Sequence, residues 1–231
     1  ISNDACKGLP RWGTAAKVAN VAPAQAKPST TRTKVRGIEY DMTDFLKQCV
    51  ERYQDLSDTK GQRLRYAATP FIDENLLPDG QDPSVESGNA GGGLLAPIAS
   101  KVLMKLLYAA RMARWDLLRP VCALAACVTR WTKMCDKMLH RLICYVNSTA
   151  DKRLVGYVGD SMVNCWLELY TDADLAGCKL TKKSTTGVFL VLVGPHTYFP
   201  LSAVSKKQTA VSHSSTESEL LAADLGLRSE A

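Results

Sequence analysis

Residues 166–174 read Trp-Leu-Glu-Leu-Tyr-Thr-Asp-Ala-Asp, and their order decides the fold class. Trp166, Glu168, Tyr170 and Asp172 fall on one side of an extended chain, and Leu167, Leu169 and Thr171 on the other. Successive side chains of a strand point to opposite faces, so this alternation predicts a strand. Gly187 to Val193 is almost continuously apolar and β-branched, and Gly194-Pro195 closes it as a turn. Tyr198 to Val204 supplies a third strand, in which Pro200 lacks an N–H and calls for an edge or a bulge. Ser214-Ser215-Thr216-Glu217 is a capping box: Ser214 serves the orphan amides and Glu217 stands three residues on. It opens a helix expected from Ser215 to about Leu227. Three antiparallel strands followed by a helix make an α/β unit. The chain stops at Ala231, before a parallel strand could return, so the fold is expected to be incomplete.

Upstream, residues 94–158 read as a helical block. Lys101 to Ala113 is apolar apart from Lys101, Lys105 and Arg111, and a second helix runs from Leu117 to about Ala126 with Pro120 in its first turn. A third spans Lys133 to Val146, where Met134, Met138, Leu142 and Tyr145 recur at helical steps. The block carries 11 basic and 3 acidic residues, a net +8. Such a surface suits a phosphate backbone, and it equally suits a solvated helix face. Helical spacing also begins near Asp41 and continues to residue 56. Residues 1–36 form a basic arm rich in Ala, Pro and Thr, which should be irregular when free because few large apolar side chains repay its ordering. From Thr69 to Gly93 there are five acids and no base, among many glycines: a surface linker. The units expected are therefore 1–36, 37–93, 94–158 and 159–231.

The composition (46% hydrophobic, 23% charged) excludes a disordered or collagen-like chain, and the net charge of +6 is compatible with nucleic acid without requiring it. The eight cysteines include no Cys-x-x-Cys pair and no histidine at finger spacing, so a zinc site is not indicated. Buried thiols in a reducing compartment, cytoplasm or nucleus, are expected instead. No apolar run is long enough to span a membrane.

Two carboxylates carry the chemistry. Asp172 stands at the exit of the first strand, with Asp174 on the same side, and Glu219 lies one turn into the capped helix. A strand-end carboxylate and a helix carboxylate together offer the hard oxygen ligands that Mg²⁺ prefers. Strand-end turns and the helix dipole account for the same residue types without a metal.

Wording adds to spacing. LYTDADLAG (169–177), KKSTTGVFLVLVG (182–194) and SKKQTAVSHSSTESELLAA (205–223) resemble, in order and spacing, the ribonuclease H domain of copia-type long-terminal-repeat retrotransposon polyproteins. ARWDLLRPVCALA (113–125) and MLHRLICYVNSTADKRLVGY (138–157) resemble the helical segment after the polymerase palm of those polyproteins, and CVERYQDLS (49–57) with ATPFIDEN (68–75) resembles the end of the reverse transcriptase region. The first 36 residues do not take part.

The resemblance implies a ribonuclease H-like mixed sheet and hydrolysis of the RNA strand of an RNA–DNA hybrid by two Mg²⁺ ions. By motif position Asp172 and Glu219 are the implied catalytic and metal-binding pair. Asp174 belongs to the Asp-Ala-Asp signature and is not an implied ligand. Lys182, Lys183, Ser184, Lys206 and Lys207 match features suited to phosphate contact. Two further aspartates of the family's centre have no counterpart here, and Asp224 lies on another face of the Glu219 helix. The expectation is thus a retrotransposon fragment inactive as an isolated chain. The alternative is a non-catalytic nucleic-acid-binding piece, or a structural subunit recruited by a protein partner into a larger assembly.

Overall fold

The computed structural model of the chain describes residues 34–57, 62–72, 92–178 and 181–230. Most of the basic arm and most of the acidic linker lie outside the described residues. Helix α1 (Thr43–Leu56) buries Leu46, Cys49, Val50 and Tyr53, the three-and-four spacing of one helical face. Helix α2 (Ala96–Met112) starts before Lys101 and takes Pro97 in its first turn, where the missing N–H is harmless. Helices α3 (Leu118–Ala125) and α4 (Lys133–Ser148) complete the block; the Thr132 side chain caps α4 by accepting from the Cys135 amide. Leu46, Leu103, Leu106, Leu139, Leu142 and Ile143 belong to one core shared by these helices.

Arg114 lies inside this block, only 2% exposed. Its guanidinium donates to the Thr149 carbonyl at 2.7 Å, to Thr149 Oγ1 at 2.8 Å, and to both Asp116 oxygens at 2.8 and 2.9 Å. Tyr145 donates to Asp116 as well, at 2.8 Å. A buried cation is tolerated only when its charge is paired and its donors are used, and here Asp116 answers the charge and four of the five N–H donors are engaged.

The strands are β1 (Arg36–Tyr40), β2 (Leu154–Val158), β3 (Trp166–Asp174), β4 (Thr185–Gly194) and β5 (Thr197–Lys207). They form one open sheet in the order β1-β2-β5-β4-β3. The three strands expected after residue 160 are present, and helix α5 (Ser215–Glu230) follows them. Pro200 sits at an irregularity: pairing jumps from Leu190↔Ser202 to Val191↔Pro200, leaving Leu201 extra. One expectation is corrected. The sheet is not mixed among the described residues, since every neighbouring pair is antiparallel. The tight Pro195-His196 turn joins antiparallel strands only, whereas a parallel neighbour needs a crossover.

Helices cover both faces. Helix α5 lies over Leu169, Thr171 and Val188, and it faces them with Ser218, Ala222 and Gly226, all buried. A Cβ at Gly226 would stand 2.8 Å from Thr171 Cγ2, so the glycine is what lets helix and strand approach. On the other face, Trp115 meets the Phe189 ring edge-on at 5.7 Å, and Arg119 of α3 pairs with Asp174 at 3.0 Å. No helix among the described residues is long and apolar enough to cross a membrane.

Candidate metal and phosphate site

The sheet register gathers the residues singled out from the sequence at one end. Asp172 pairs with Gly187, which pairs with Ser205; Asp174 pairs with Thr185, which pairs with Lys207; and Thr186 pairs with Lys206. The first turn of α5 is tied to this end by Gln208, whose amide donates to the Ser218 carbonyl at 2.9 Å and to Thr186 Oγ1 at 3.1 Å. Ser212 donates in turn to Gln208 Oε1 at 3.2 Å. The cap forms, with its return bond displaced by one residue: Ser214 Oγ accepts from the Glu217 amide at 3.1 Å, and the Glu217 carboxylate accepts from the amide of His213, the residue before the cap, at 2.7 Å.

With its first turn fixed, α5 aims Glu219 at the outer edge of β3. The carboxylate accepts a hydrogen bond from the Ala173 amide, one residue beyond Asp172. Glu219 Oε2 is buried and has no hydrogen-bond partner. Burial pushes the Glu219 carboxyl above its usual value and the Asp172 charge pushes it further, against the Ala173 bond. A buried carboxylate oxygen without a donor is costly, and a neighbouring negative charge makes it more so. Asp172 itself is exposed. The pair thus offers hard oxygen donors, one of them unanswered, which fits a divalent cation that keeps several waters. No group of three or more His, Cys, Asp or Glu positioned to hold a metal occurs among the described residues.

Asp174 is engaged elsewhere. One oxygen accepts from the Thr185 amide and the other pairs with Arg119. A Cβ at Gly177 would collide with this carboxylate, so the turn after β3 is built around it.

The basic and hydroxyl residues divide. Ser184 is fully buried; its hydroxyl accepts from the Ala176 amide at 3.1 Å and its carbonyl from the Gln208 amide at 2.8 Å. It holds the β3–β4 loop to β5. Lys182, at φ 54°, occupies the left-handed region, and its amide donates to the Cys178 carbonyl at 2.8 Å. The Lys182 and Lys206 side chains are exposed and Lys183 is half-buried. Lys207 Nζ lies 2.8 Å from Cys178 Sγ. Burial raises that thiol, but Lys207 and Thr181 outweigh it and set the Cys178 pKa below the usual value. Sequence reading did not find Arg119 or the Cys178–Lys207 contact. Both join residues distant in sequence, and neither carries a local signal.

No protein-family model matches this chain, and comparison with curated proteins and with solved structures likewise gives no match.

Proposed function

We propose that the chain is the part of a copia-type retrotransposon polyprotein that runs from the end of the polymerase region into the ribonuclease H domain. In this reading Asp172 and Glu219 are metal ligands, and the substrate of the intact domain is an RNA–DNA hybrid. One observation carries the proposal: Glu219, placed by a capped helix against the end of β3, keeps a buried oxygen without a donor beside the Asp172 charge. Most buried side-chain oxygens find a partner, and among the exceptions a carboxylate beside a second negative charge is the costliest to leave unanswered.

Mg²⁺ bound by Asp172 and Glu219 would supply Lewis-acid stabilisation and water activation for phosphodiester hydrolysis. The chain's own residues prepare for that charge. Gln208 and the Ser214–Glu217 box fix the first turn of α5, the Ala173 amide orients Glu219, and exposed Lys182 and Lys206 lie at the same end of the sheet to meet phosphates. Two carboxylates hold one hard cation adequately and two poorly, since closely spaced dications repel strongly. The isolated 231-residue chain should therefore bind Mg²⁺ and cleave hybrids negligibly.

The test is a fluorescent-hybrid cleavage assay with Mg²⁺ and with Mn²⁺, run beside thermal melting with and without each ion. Expected are no cleavage and a metal-dependent rise in Tm that is lost in Asp172→Asn and Glu219→Gln. A rise that survives both substitutions, or no rise at all, sinks the metal reading. Cleavage that vanishes in Asp172→Asn keeps the site and overturns the inactivity.

A further inference from the structure

We propose that Cys178 and Lys207 are a peroxide-responsive pair: a hydroperoxide oxidises the Cys178 thiol to the sulfenic acid, and the Lys207 amine captures it as a covalent sulfenamide. The two reactive atoms already meet, with Lys207 Nζ 2.8 Å from Cys178 Sγ. They come from separate elements, Cys178 from the loop after β3 and Lys207 from the last position of β5. A thiol with a primary amine at this distance holds both partners of the condensation.

Loop and strand are fixed against each other around the pair. The Cys178 amide donates to the Lys183 carbonyl at 3.1 Å, and the Cys178 carbonyl accepts from the Lys182 amide at 2.8 Å. The loop is held to β5 one residue beyond Lys207, where the Gln208 amide donates to the Ser184 carbonyl at 2.8 Å. The fully buried Ser184 hydroxyl accepts from the Ala176 amide at 3.1 Å, and Lys207 itself is in register with Thr185. Sulfur and nitrogen are therefore neighbours by the fold, and that proximity makes their joining an intramolecular step.

Access and charge suit the first step. Cys178 is half-buried and Lys207 exposed, so a small peroxide reaches the sulfur from solvent. Burial raises the Cys178 thiol, but the Lys207 ammonium, with Thr181, outweighs it and holds the pKa below the usual value. The thiolate is the form that reacts with peroxide. Its sulfur attacks one peroxide oxygen, the O–O bond breaks, and the departing hydroxide takes a proton from the Lys207 ammonium to leave as water. The neutral amine then attacks the sulfenic sulfur. An S–N bond forms, the S–O bond breaks, and the hydroxyl leaves as a second water with the proton that nitrogen releases. Sulfur is oxidised by two electrons and the peroxide is reduced by two. The product ties the β3–β4 loop to β5 and removes the Lys207 charge.

The experiment treats the folded full chain with hydrogen peroxide, with and without dimedone to trap sulfenic acids, then blocks remaining thiols and maps tryptic peptides without reductant. A Cys165→Ser background leaves Cys178 as the only cysteine in its peptide, residues 154–179. Expected is that peptide joined to residues 207–228, lighter by two hydrogens than the sum of its parts and released by dithiothreitol. Trypsin should also fail to cut after the linked Lys207. In Lys207→Arg, which keeps the cation without a nucleophilic amine, the joined peptide should vanish and Cys178 should accumulate the dimedone adduct. Lys207 is exposed, so this substitution leaves the core untouched, and the link itself is read with Lys207 in place. A Cys178 that stays reduced while other thiols oxidise would overturn the proposal. So would a Cys178 that takes up dimedone equally with either residue at 207, or one linked to a different lysine.

Discussion

Glu219 and Asp116 are two carboxylates whose environments push in opposite directions. For Glu219, burial and the Asp172 charge favour the protonated form in the fold. A carboxyl raised on folding contributes stability below its unfolded value and loses it as pH rises through the folded one. Ionised Glu219 is thus a cost at neutral pH. Glu219→Gln should raise Tm near pH 7 without metal and leave it unchanged near pH 3, as melting at the two pH values will show. In the unsubstituted chain, Mg²⁺ at a hundred times its Kd should stabilise by about 2.7 kcal/mol, roughly 5–10 °C for a chain of this size. Asp116 runs the other way. Burial raises its carboxyl, but hydrogen bonds and charge from Arg114, with the Tyr145 hydroxyl, outweigh it and hold the pKa below the usual value. Its contribution is present above the unfolded carboxylate value and lost as pH falls through the folded one. Asp116→Asn should cost about 1.5–3 kcal/mol at pH 7, the range for hydrogen bonds to charged groups, and should flatten the acid limb of the stability curve. Chemical denaturation from pH 3 to 7 measures both effects.

Helix α5 departs from the usual amphipathic arrangement. It buries Ser218, Ala222 and Gly226 against the sheet and leaves Leu220 66% exposed. Small residues bring the helix axis close to β3, and that closeness lets Glu219 reach the Ala173 amide. Gly226→Ala exchanges a helix-propensity gain of about 1 kcal/mol for a Cβ only 2.8 Å from Thr171 Cγ2. Overpacking of this kind costs about 1–3 kcal/mol, so the variant should be destabilised or neutral and should bind Mg²⁺ more weakly. Calorimetric Mg²⁺ titration beside a urea melt checks it. The β1–β2 ribbon joins the rest of the sheet through one registered pair, Tyr157↔Tyr198, and every residue of β1 is exposed. Amides of β1 should therefore exchange faster than those of β4, which is paired on both sides. Hydrogen-exchange mass spectrometry reads that difference directly.

For the molecule as a whole, the larger core belongs to the helices: α1 to α4 share one buried cluster, with Ala203 of β5 packed against it. Leu142→Ala, at a position without exposed surface, should cost about 2–5 kcal/mol. The Arg119–Asp174 pair and the Trp115–Phe189 contact link that core to the sheet, so the loss should appear in both in a denaturation curve followed by helix and strand signals. The basic block of residues 94–158 adds a separate expectation. If its net +8 meets phosphates, hybrid binding should fall steeply between 50 and about 200 mM salt. Binding insensitive to salt would favour burial of that block against a protein partner.

The strands β3, β4 and β5, the three helices of the block and the Ser214 capping box were legible because each is encoded over a few residues. Side-chain alternation at Leu167–Thr171, the apolar run at 187–193 and the Ser-x-x-Glu spacing are all local signals. The strands β1 and β2 were not legible. Arg36–Tyr40 has no buried face to write a pattern into its sequence, and its partner lies more than a hundred residues away. The candidate site divides in the same way. Asp172 and Glu219 were named from their positions in motifs, but the sequence could not say that Glu219 Oε2 would be buried without a donor, that Ser184 would be sealed inside, or that Asp174 would be taken by Arg119. Local chain geometry determined the elements. Which charge, amide or thiol each side chain meets was decided by the packing of α5 and α3 on opposite faces of the sheet, because those encounters join residues that no short-range pattern connects.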